Sequence, residues 1–308
     1  MQGTAIFVLS DMRSGSTLLD QLLGAHPSIM SLGELHWLAA YVLQDRKIYD
    51  PVHELICTCG QRLMQCPFWT SVATDMRRPL QSLRLRPSFV KFTADAGLCG
   101  RLRRLPTRLV DAFPAMYRSR LVQGFFGAAQ VGRDSVDLFK SVLSVSGRRF
   151  VVDSSKSSFR FRTIYDRQPG TTRAILLARD YRAVVHSKMK RGESMVAAAV
   201  GWRKKMMQIE AVTADLPAGH KYRMKFEALC ENPARELSAL CHFLGLEFSA
   251  AMVERPVSDT HHIGGSPSKF DPSRIAISLD TAYRQAFDAT ELRRISKLVR
   301  PMAHKWGY

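Results

Sequence analysis

Residues 4–24 read TAIFVLSDMRSGSTLLDQLLG, and this stretch decides the fold class of the chain. Its first part, residues 4–9, is a continuous apolar run of the kind that forms a strand buried on both faces of a sheet. A polar turn that contains a glycine follows at residues 10–16. Four leucines between residues 18 and 23 then fall on one helical stripe, and Gly24 is a typical helix stop. The stretch therefore predicts a buried strand, a loop and a helix.

The same strand-then-helix pattern recurs along the chain. The further predicted strands are residues 28–32, 149–153, 174–178 and 222–226, and the further predicted helices are residues 181–191 and 233–244. Asp180 is the predicted N-cap of the first of these helices, and Gly245 is the predicted stop of the second. Strands that alternate with helices of this length favour βαβ units. We predict an α/β fold with a P-loop-like central parallel sheet flanked by helices, formed by residues 1–308 as a single domain. Residues 70–147 are basic and helical in pattern, and we predict that they form a helical insertion over the sheet.

The charge balance predicts anionic partners. The 308 residues carry 45 Lys and Arg against 27 Asp and Glu, which gives a net charge of +18. Such an excess suits nucleic acid, an anionic membrane, or small molecules that bear phosphate or sulfate. Hydrophobic residues make up 46% of the chain, which excludes a mainly disordered protein, and no stretch has the pattern of a membrane span. The N-terminus lacks the pattern of a secretory signal and the cysteines are few, so we expect a cytoplasmic protein.

The turn at residues 10–16 has the features of an anion-binding loop. A helix start offers free backbone N–H groups and the positive end of the helix dipole. Arg13 adds a positive charge, and Ser14, Ser16 and Thr17 add hydroxyl groups. The loop lacks the G-x-x-x-x-G-K-[ST] pattern that binds a nucleoside triphosphate with magnesium. A P-loop nucleotide or small-molecule kinase is therefore disfavoured, although it stays an alternative function. For this segment alone, a plain turn with a capping serine is the structural alternative to an anion site.

Residues 7–19 (FVLSDMRSGSTLL), together with GAHP at 24–27 and GE at 33–34, resemble the sulfotransferases that use 3′-phosphoadenosine 5′-phosphosulfate (PAPS). The likeness is greatest to the tyrosylprotein and carbohydrate sulfotransferases and their bacterial relatives. It implies an O-sulfotransferase that moves the sulfuryl group from PAPS to a hydroxyl of an unidentified acceptor, which could be a glycan, a small molecule or a peptide tyrosine. In this family the loop holds the 5′-phosphosulfate, and the residues that the resemblance places there are Arg13, Ser14, Gly15, Ser16, Thr17 and Leu18.

A donor with a 3′-phosphate needs a second anion site, and residues 176–191 (LLARDYRAVVHSKMKR) match the family pattern R-D-x-R-x4-S-x3-R. Ser187 and Arg191 are one helical turn apart and Arg179 precedes that helix, so the three side chains can converge on one phosphate. A solvated basic helix face is the alternative. Residues 261–270 (HHIGGSPSKF) resemble the family's closing loop over the nucleotide, and the phosphate contacts implied there are Gly265, Ser266 and Lys269. In one departure from the family, Phe226 stands where the R-Y-E-x-L pattern has tyrosine, so no hydrogen bond from that hydroxyl is expected.

Sulfuryl transfer is helped by a base for the acceptor's proton and by cations for the leaving oxygen. Glu34 matches the proposed base of the tyrosylprotein enzymes, whereas His36 has the residue type of the base in the cytosolic small-molecule branch. Residues two apart in an extended segment point the same way, so both could face the cleft. We favour Glu34, for which a structural ion pair with an arginine is the alternative role. Lys156 follows a predicted strand and is expected, with Arg13, to stabilise the leaving oxygen, although an ordinary surface lysine is the alternative. Because the leaving group is a phosphate ester, the transfer is expected to require no metal.

Three of the six cysteines, Cys57, Cys59 and Cys66, lie within ten residues of one another, with His53 nearby. Zinc ligation by three cysteines and a histidine is one interpretation. The C-x-C spacing is tighter than is usual for zinc, which favours reduced, buried cysteines. A disulfide such as Cys59–Cys66 is the third alternative and would need an oxidising compartment.

The acceptor and the oligomeric state have no motif. Residues 77–120 carry ten Arg and one Lys against two Asp, which is half of the net charge. This basic segment indicates either an acidic acceptor, such as an anionic glycan, a nucleotide-linked sugar or an acidic peptide, or a plain solvated surface. The charge would also suit a nucleic-acid-binding protein. Neither interleaved aromatic residues nor a recognition-helix motif accompanies it, so nucleic acid is not the expected partner.

Overall fold

The computed structural model describes residues 3–42, 56–86, 116, 118–254, 260–264 and 277–308. Within these ranges, one parallel sheet has the strand order β2-β3-β1-β4-β5. The strands are β1 (Thr4–Ser10), β2 (Ile29–Ser31), β3 (Phe150–Asp153), β4 (Thr172–Ala178) and β5 (Lys221–Lys225). The sequence prediction of a central parallel sheet is confirmed, and each predicted strand is present with bounds that differ by at most two residues.

Helices flank both faces of the sheet. They are α1 (Ser16–Gly24), α2 (Leu38–Val42), α3 (Pro67–Met76), α4 (Arg120–Phe125), α5 (Ala128–Ser146), α6 (Ser158–Tyr165), α7 (Tyr181–Met189), α8 (Met195–Thr213), α9 (Phe226–Glu231), α10 (Pro233–Leu244), α11 (Ala251–Glu254) and α12 (Ala289–Lys305). The start of α7 is capped as predicted, because the Asp180 side chain accepts a hydrogen bond from the backbone N–H of Arg182. Helix α10 ends at Gly245, whose φ of 70° lies in the left-handed region that glycine adopts at low cost.

Strand β1 lies in the middle of the sheet and supplies side chains to both core layers. Ala5, Phe7 and Leu9 belong to the layer that includes residues of α5, α6 and α8, whereas Ile6 and Val8 belong to the layer that includes residues of α1 and α10. This alternation follows from the two-residue side-chain period of a strand. It explains why the decisive stretch has no polar residue between Ala5 and Leu9.

The carboxyl ends of the strands meet at one edge of the sheet. Phe7 of β1 is in register with Asp153 at the end of β3, and Ser10 at the end of β1 is in register with Leu177 of β4. β2 ends in register with Val152. The loops that follow β1, β2, β3 and β4 therefore leave from the same edge, where ligands bind in open α/β sheets.

The described part of the predicted insertion packs on the main core. Phe139 of α5 lies 6.0 Å from Phe7 between ring centroids, and both side chains are fully buried. The bounds of the insertion at residues 70–147 stay a prediction, since residues 87–115 lie outside the described residues. Among the helices that the structure describes, none combines the length and the apolar character needed to cross a membrane.

Candidate active site at the carboxyl edge of the sheet

The loop between β1 and α1 is shaped for close approach by an anion. Gly15 has a φ of 84°, and a Cβ built at this position would lie 2.1 Å from the ring of Phe226. Glycine is thus required both by the backbone conformation and by the space. Leu19 has the first backbone N–H of α1 that forms a helical hydrogen bond, which it donates to the carbonyl oxygen of Gly15 at 3.1 Å. The N–H groups before Leu19 are those that a helix start leaves free for an anion.

The residues of the second predicted phosphate site lie directly against this loop. Nε of Arg13 donates to Oγ of Ser187 at 2.9 Å, across a separation of 174 residues in the chain. Nη1 of Arg179 donates to the carbonyl oxygen of Arg13 at 3.2 Å. The structure therefore brings the two predicted sets together at the carboxyl ends of β1 and β4.

This cluster concentrates positive charge without a carboxylate partner. Burial, together with the nearby guanidinium groups of Arg191 and Arg179, lowers the pKa of Arg13 below its ordinary value. Within the described ranges, none of these three arginines forms an ion pair with an acidic side chain, and the buried Nε of Arg179 has no hydrogen-bond partner. Among the described residues, the buried hydroxyl of Ser14 has no hydrogen-bond partner either. An anion bound here would relieve the mutual repulsion and satisfy these donors.

Phe226 has a packing role that the sequence did not reveal. Its ring lies against Gly15, and the guanidinium carbon of Arg179 lies over the ring at 4.8 Å from the centroid. A cation held over an aromatic face is stabilised by the ring quadrupole. Phe226 thus supports both the loop and Arg179 without contributing a hydroxyl.

Glu34 and Lys156 contact each other. Nζ of Lys156 donates to Oε1 of Glu34 at 2.5 Å, with the side chains 13% and 21% exposed. Lys156 has a φ of 58°, and its carbonyl oxygen accepts a hydrogen bond from Nζ of Lys205 at 2.5 Å. The backbone N–H of Glu34 donates to the carbonyl oxygen of Ile263 at 2.6 Å. An acid and a cation that can still reach solvent therefore lie together after β2 and β3.

The prediction that residues 34–36 form an extended segment, which placed Glu34 and His36 on one face, is wrong. Residues Leu35–Trp37 form a turn of 3₁₀ helix rather than an extended segment, because the backbone N–H of Trp37 bonds back to the carbonyl oxygen of Glu34. Burial, reinforced by the charges of Arg160 and Arg86, holds the pKa of His36 well below its ordinary value, so its imidazole is neutral at pH 7. Whether Glu34 or His36 is the base stays a prediction.

A family model described as the sulfotransferase family matches residues 5–250, which contain the loop, Glu34, Lys156 and helix α7. The chain belongs to the sulfotransferase family. A Caenorhabditis elegans protein named "Putative protein-tyrosine sulfotransferase" is 27% identical over 145 residues, which are 44% of this chain and 56% of that protein. The chain thus aligns with little more than half the length of this relative.

Solved structures of sulfotransferase domains share the fold. The domain from the olefin synthase of Synechococcus PCC 7002 has a TM-score of 0.58 at 20% identity, and the match covers 99% of this chain and 94% of that one. The domain from the curacin biosynthetic pathway has a TM-score of 0.53 at 19% identity, with 96% and 97% covered. At these identities the likeness shows the fold alone.

Buried ion pairs hold the loops at this edge of the sheet, and sequence reasoning missed them. Nζ of Lys188 donates to Oδ2 of Asp11 at 2.7 Å, with both side chains less than one tenth exposed. Nε of Arg160 donates to Oδ2 of Asp153 at 2.8 Å, and Oδ1 of Asp153 accepts from Ser155. The first pair fixes the start of the loop between β1 and α1, and the second fixes the turn before Lys156. A charged residue at the carboxyl end of an otherwise apolar strand was the available signal for Asp11 and Asp153.

Three predicted phosphate contacts, Gly265, Ser266 and Lys269, lie outside the described residues, as does His53. The described segment 260–264 leads directly into the first of these positions. Ile263 forms a parallel bridge with Gly33, next to Glu34. The placement of the closing loop stays a prediction.

Asp20 is expected to make the stability of the protein depend on pH. This carboxyl of α1 is fully buried near Ser31 and Ser154, and burial raises its pKa to about 7. The unfolded chain ionises it near its ordinary value of about 4, so the native state binds the extra proton and loses stability as pH rises from about 4 to 7. Between pH 5 and pH 8 this group is expected to lower the free energy of unfolding by about 2–3 kcal/mol, at about 1.4 kcal/mol per pH unit below the folded pKa. Asp20→Asn is expected to remove this loss.

Urea unfolding of both proteins at pH 5 and pH 8 measures this effect. Asp137→Asn, an exposed carboxylate on α5, is the control and should leave the difference between the two pH values unchanged. If Asp20→Asn shows the same pH dependence as the unaltered protein, the carboxyl is ionised in the native state throughout this range.

Proposed function

We propose that this sulfotransferase uses PAPS as its donor and transfers the sulfuryl group to a hydroxyl of its acceptor, releasing 3′-phosphoadenosine 5′-phosphate (PAP). The observation that carries the proposal is the contact between the two phosphate motifs. Arg13 of the first motif bonds to Ser187 of the second, and Arg179 bonds back to Arg13. A ligand with two phosphate groups accounts for both motifs at one edge of the sheet. The unpartnered Nε of Arg179 and the close backbone approach at Gly15 fit such a ligand.

The catalytic roles follow from where charge changes during the transfer. The acceptor oxygen forms a bond to sulfur while the bond from sulfur to the bridging phosphate oxygen breaks, and its electron pair leaves with PAP. Glu34 takes the acceptor's proton as a carboxylate base. Lys156 and Arg13 stabilise the negative charge that develops on the bridging oxygen. The sulfuryl group must lie between the attacking and leaving oxygens, so we expect the Glu34–Lys156 ion pair to separate when both substrates bind.

The acceptor side is expected to begin beside Glu34. Trp37 lies three residues after Glu34 in the chain. The guanidinium carbon of Arg86 lies over the ring of Trp37, 3.7 Å from its centroid. Arg86 belongs to the basic segment 77–120, and an acidic acceptor such as an anionic glycan or peptide stays our expectation. The cytoplasmic location is likewise a proposal that rests on the cysteine content of the sequence.

Ligand-dependent thermal stability tests the donor. PAP is expected to raise the melting temperature in buffer without added magnesium, whereas ATP with magnesium and duplex DNA should not, because a ligand stabilises only the native state that binds it. Stabilisation by ATP with magnesium and not by PAP would favour a kinase, and stabilisation by DNA alone would favour a nucleic-acid-binding protein. A screen of hydroxyl acceptors with labelled PAPS then identifies the acceptor class.

Arg179→Ala is expected to weaken PAP binding about 10- to 150-fold. A charge-assisted hydrogen bond to a phosphate contributes about 1.5–3 kcal/mol, and each 1.4 kcal/mol is tenfold in affinity. Titration calorimetry with PAP measures the change. The matched control is Arg173→Ala on β4, the strand that Arg179 directly follows, where the guanidinium bonds to the backbone carbonyl oxygens of residues 170 and 172. Equal PAP affinity of Arg179→Ala and the unaltered protein would remove the second phosphate site.

A further inference from the structure

Three cysteines and a histidine converge on one point beside the proposed active site. Cys57, Cys59, Cys66 and His261 each offer a ligand atom, and these four atoms all lie within 4.8 Å of one another. Nδ1 of His261 lies 3.4 Å from Sγ of Cys57 and 3.3 Å from Sγ of Cys66. Sγ of Cys66 lies 3.6 Å from Sγ of Cys57 and 3.6 Å from Sγ of Cys59. Three of the four residues are buried, and Cys59 is exposed.

These separations match the edges of a zinc tetrahedron. Zn–S bonds of about 2.3 Å and Zn–N bonds of about 2.0–2.1 Å place two sulfurs about 3.8 Å apart and a sulfur and a nitrogen about 3.5–3.6 Å apart. A disulfide needs sulfurs about 2.05 Å apart, and the three cysteines are unpaired in the structure. We propose that Cys57, Cys59, Cys66 and Nδ1 of His261 form a Cys3His site that binds one structural zinc ion.

The local backbone is built to present these ligands. Residues 56–62 form a tight hairpin-like turn in which the N–H of Cys57 donates to the carbonyl oxygen of Gln61 at 2.9 Å and Ile56 bridges to Arg62. This turn places the first two cysteines on one side. Cys66 directly precedes α3 at the N-cap position. The C-x-C spacing, which looked too tight in the sequence, is therefore compatible with one metal because the third cysteine comes from a separate element.

The fourth ligand comes from a segment distant in the chain and is held in place by its own contacts. The His261 ring stacks on Phe68 at 4.5 Å between centroids, with an interplanar angle of 3°. Oγ1 of Thr58, between the first two cysteines, donates to the carbonyl oxygen of Thr260 and accepts from the N–H of His262 at 3.0 Å. Groups that orient a metal ligand in this way are a regular part of metal sites. Residues 57–59 and 260–262 thus form one unit.

The zinc would fix the segment that holds Glu34. The N–H of Ile263 donates to the carbonyl oxygen of Leu32 at 2.9 Å, and the carbonyl oxygen of Ile263 accepts from the N–H of Glu34 at 2.6 Å. Tying His261 to the cysteine turn therefore restrains the backbone on which Glu34 sits. This positioning role rests on the proposed function, whereas zinc binding itself does not.

Metal content tests the site directly. We expect about one zinc ion per chain, measured by inductively coupled plasma mass spectrometry. The protein is purified from cells grown with zinc, without a histidine tag and without a chelator. Cys66→Ser and His261→Ala should each lose most of this zinc. The matched control is Cys230→Ser, a cysteine outside the cluster, which should keep it. Cobalt added to zinc-free protein should give the absorption of a tetrahedral site with thiolate ligands, and His261→Ala should weaken it.

Hydrogen exchange tests the positioning role without any assay of activity. Removal of zinc should speed amide exchange in peptides that contain Glu34 and Ile263, while a peptide from β4 exchanges as before. A zinc content below about one tenth of an ion per chain, with no cobalt spectrum, would overturn the site. Zinc retained by both His261→Ala and Cys66→Ser would overturn it as well. Protein that binds zinc but not PAP would contradict only the proposed function, and protein that binds PAP but no zinc would contradict only this inference.

Discussion

Glu34→Gln is expected to lower kcat by about 10²–10⁴-fold while leaving PAP affinity and the melting temperature close to those of the unaltered protein. Glutamine keeps the size of glutamate, and its side-chain oxygen can still accept the hydrogen bond from Lys156. It cannot take up the acceptor's proton at neutral pH, so the change isolates the base. Steady-state kinetics with an alcohol acceptor measures the loss, because an acceptor that ionises readily depends less on a base.

The matched variant is His36→Gln, which is expected to cost much less. The backbone N–H of His36 bonds to Oγ of Ser155, a contact that the substitution keeps. Its half-buried imidazole lies near Arg160 and Arg86, whose charges oppose the positive charge that a base gains when it accepts a proton. A larger loss for His36→Gln than for Glu34→Gln would reverse the two roles and relate the mechanism to that of the histidine-base sulfotransferases.

The parts of the fold that depend on neighbouring residues were predictable from the sequence. β1 and the loop after it were found because an apolar run, a glycine turn and a leucine stripe follow one another within residues 4–24. The caps at Asp180 and Gly245 were found for the same reason, since capping depends on side chains within a few residues of the helix end. The family motifs extended this local information to the predicted second phosphate site.

The parts of the site that depend on distant contacts were not predictable. Glu34 and Lys156 are 122 residues apart, and they meet because β2 and β3 are neighbours in the sheet. His261 lies 195 residues after Cys66, whereas sequence spacing pointed to His53 as the fourth member of the cysteine cluster. The 3₁₀ turn at Leu35–Trp37 was not predicted, for another reason. Three residues are too few for a periodic pattern to distinguish a turn from an extended segment.

Lys156→Ala is expected to lower kcat by about 10²–10³-fold and PAP affinity by much less. A cation that faces a developing oxyanion in a partly buried site typically contributes a factor of this size. The bridging oxygen gains most of its charge in the transition state, so the interaction is stronger there than with bound PAPS. Single-turnover kinetics at saturating PAPS measures the chemical step, and calorimetry with PAP measures the affinity.

The matched control is Lys305→Ala, which removes another lysine–glutamate ion pair, 2.8 Å long, on α12. Its kcat should stay close to that of the unaltered protein, because Lys305 lies outside the proposed active site and Glu210 keeps its ion pair with Arg223. Alanine at position 156 retains the backbone carbonyl oxygen that Lys205 contacts, and it must adopt the same positive φ as lysine. The melting temperature of the variant reports whether this turn is unchanged. If PAP affinity falls as much as kcat, Lys156 binds donor and transition state equally and does not act on the leaving oxygen. If kcat falls alone, Lys156 acts on charge that develops in the transition state and not on the bound donor.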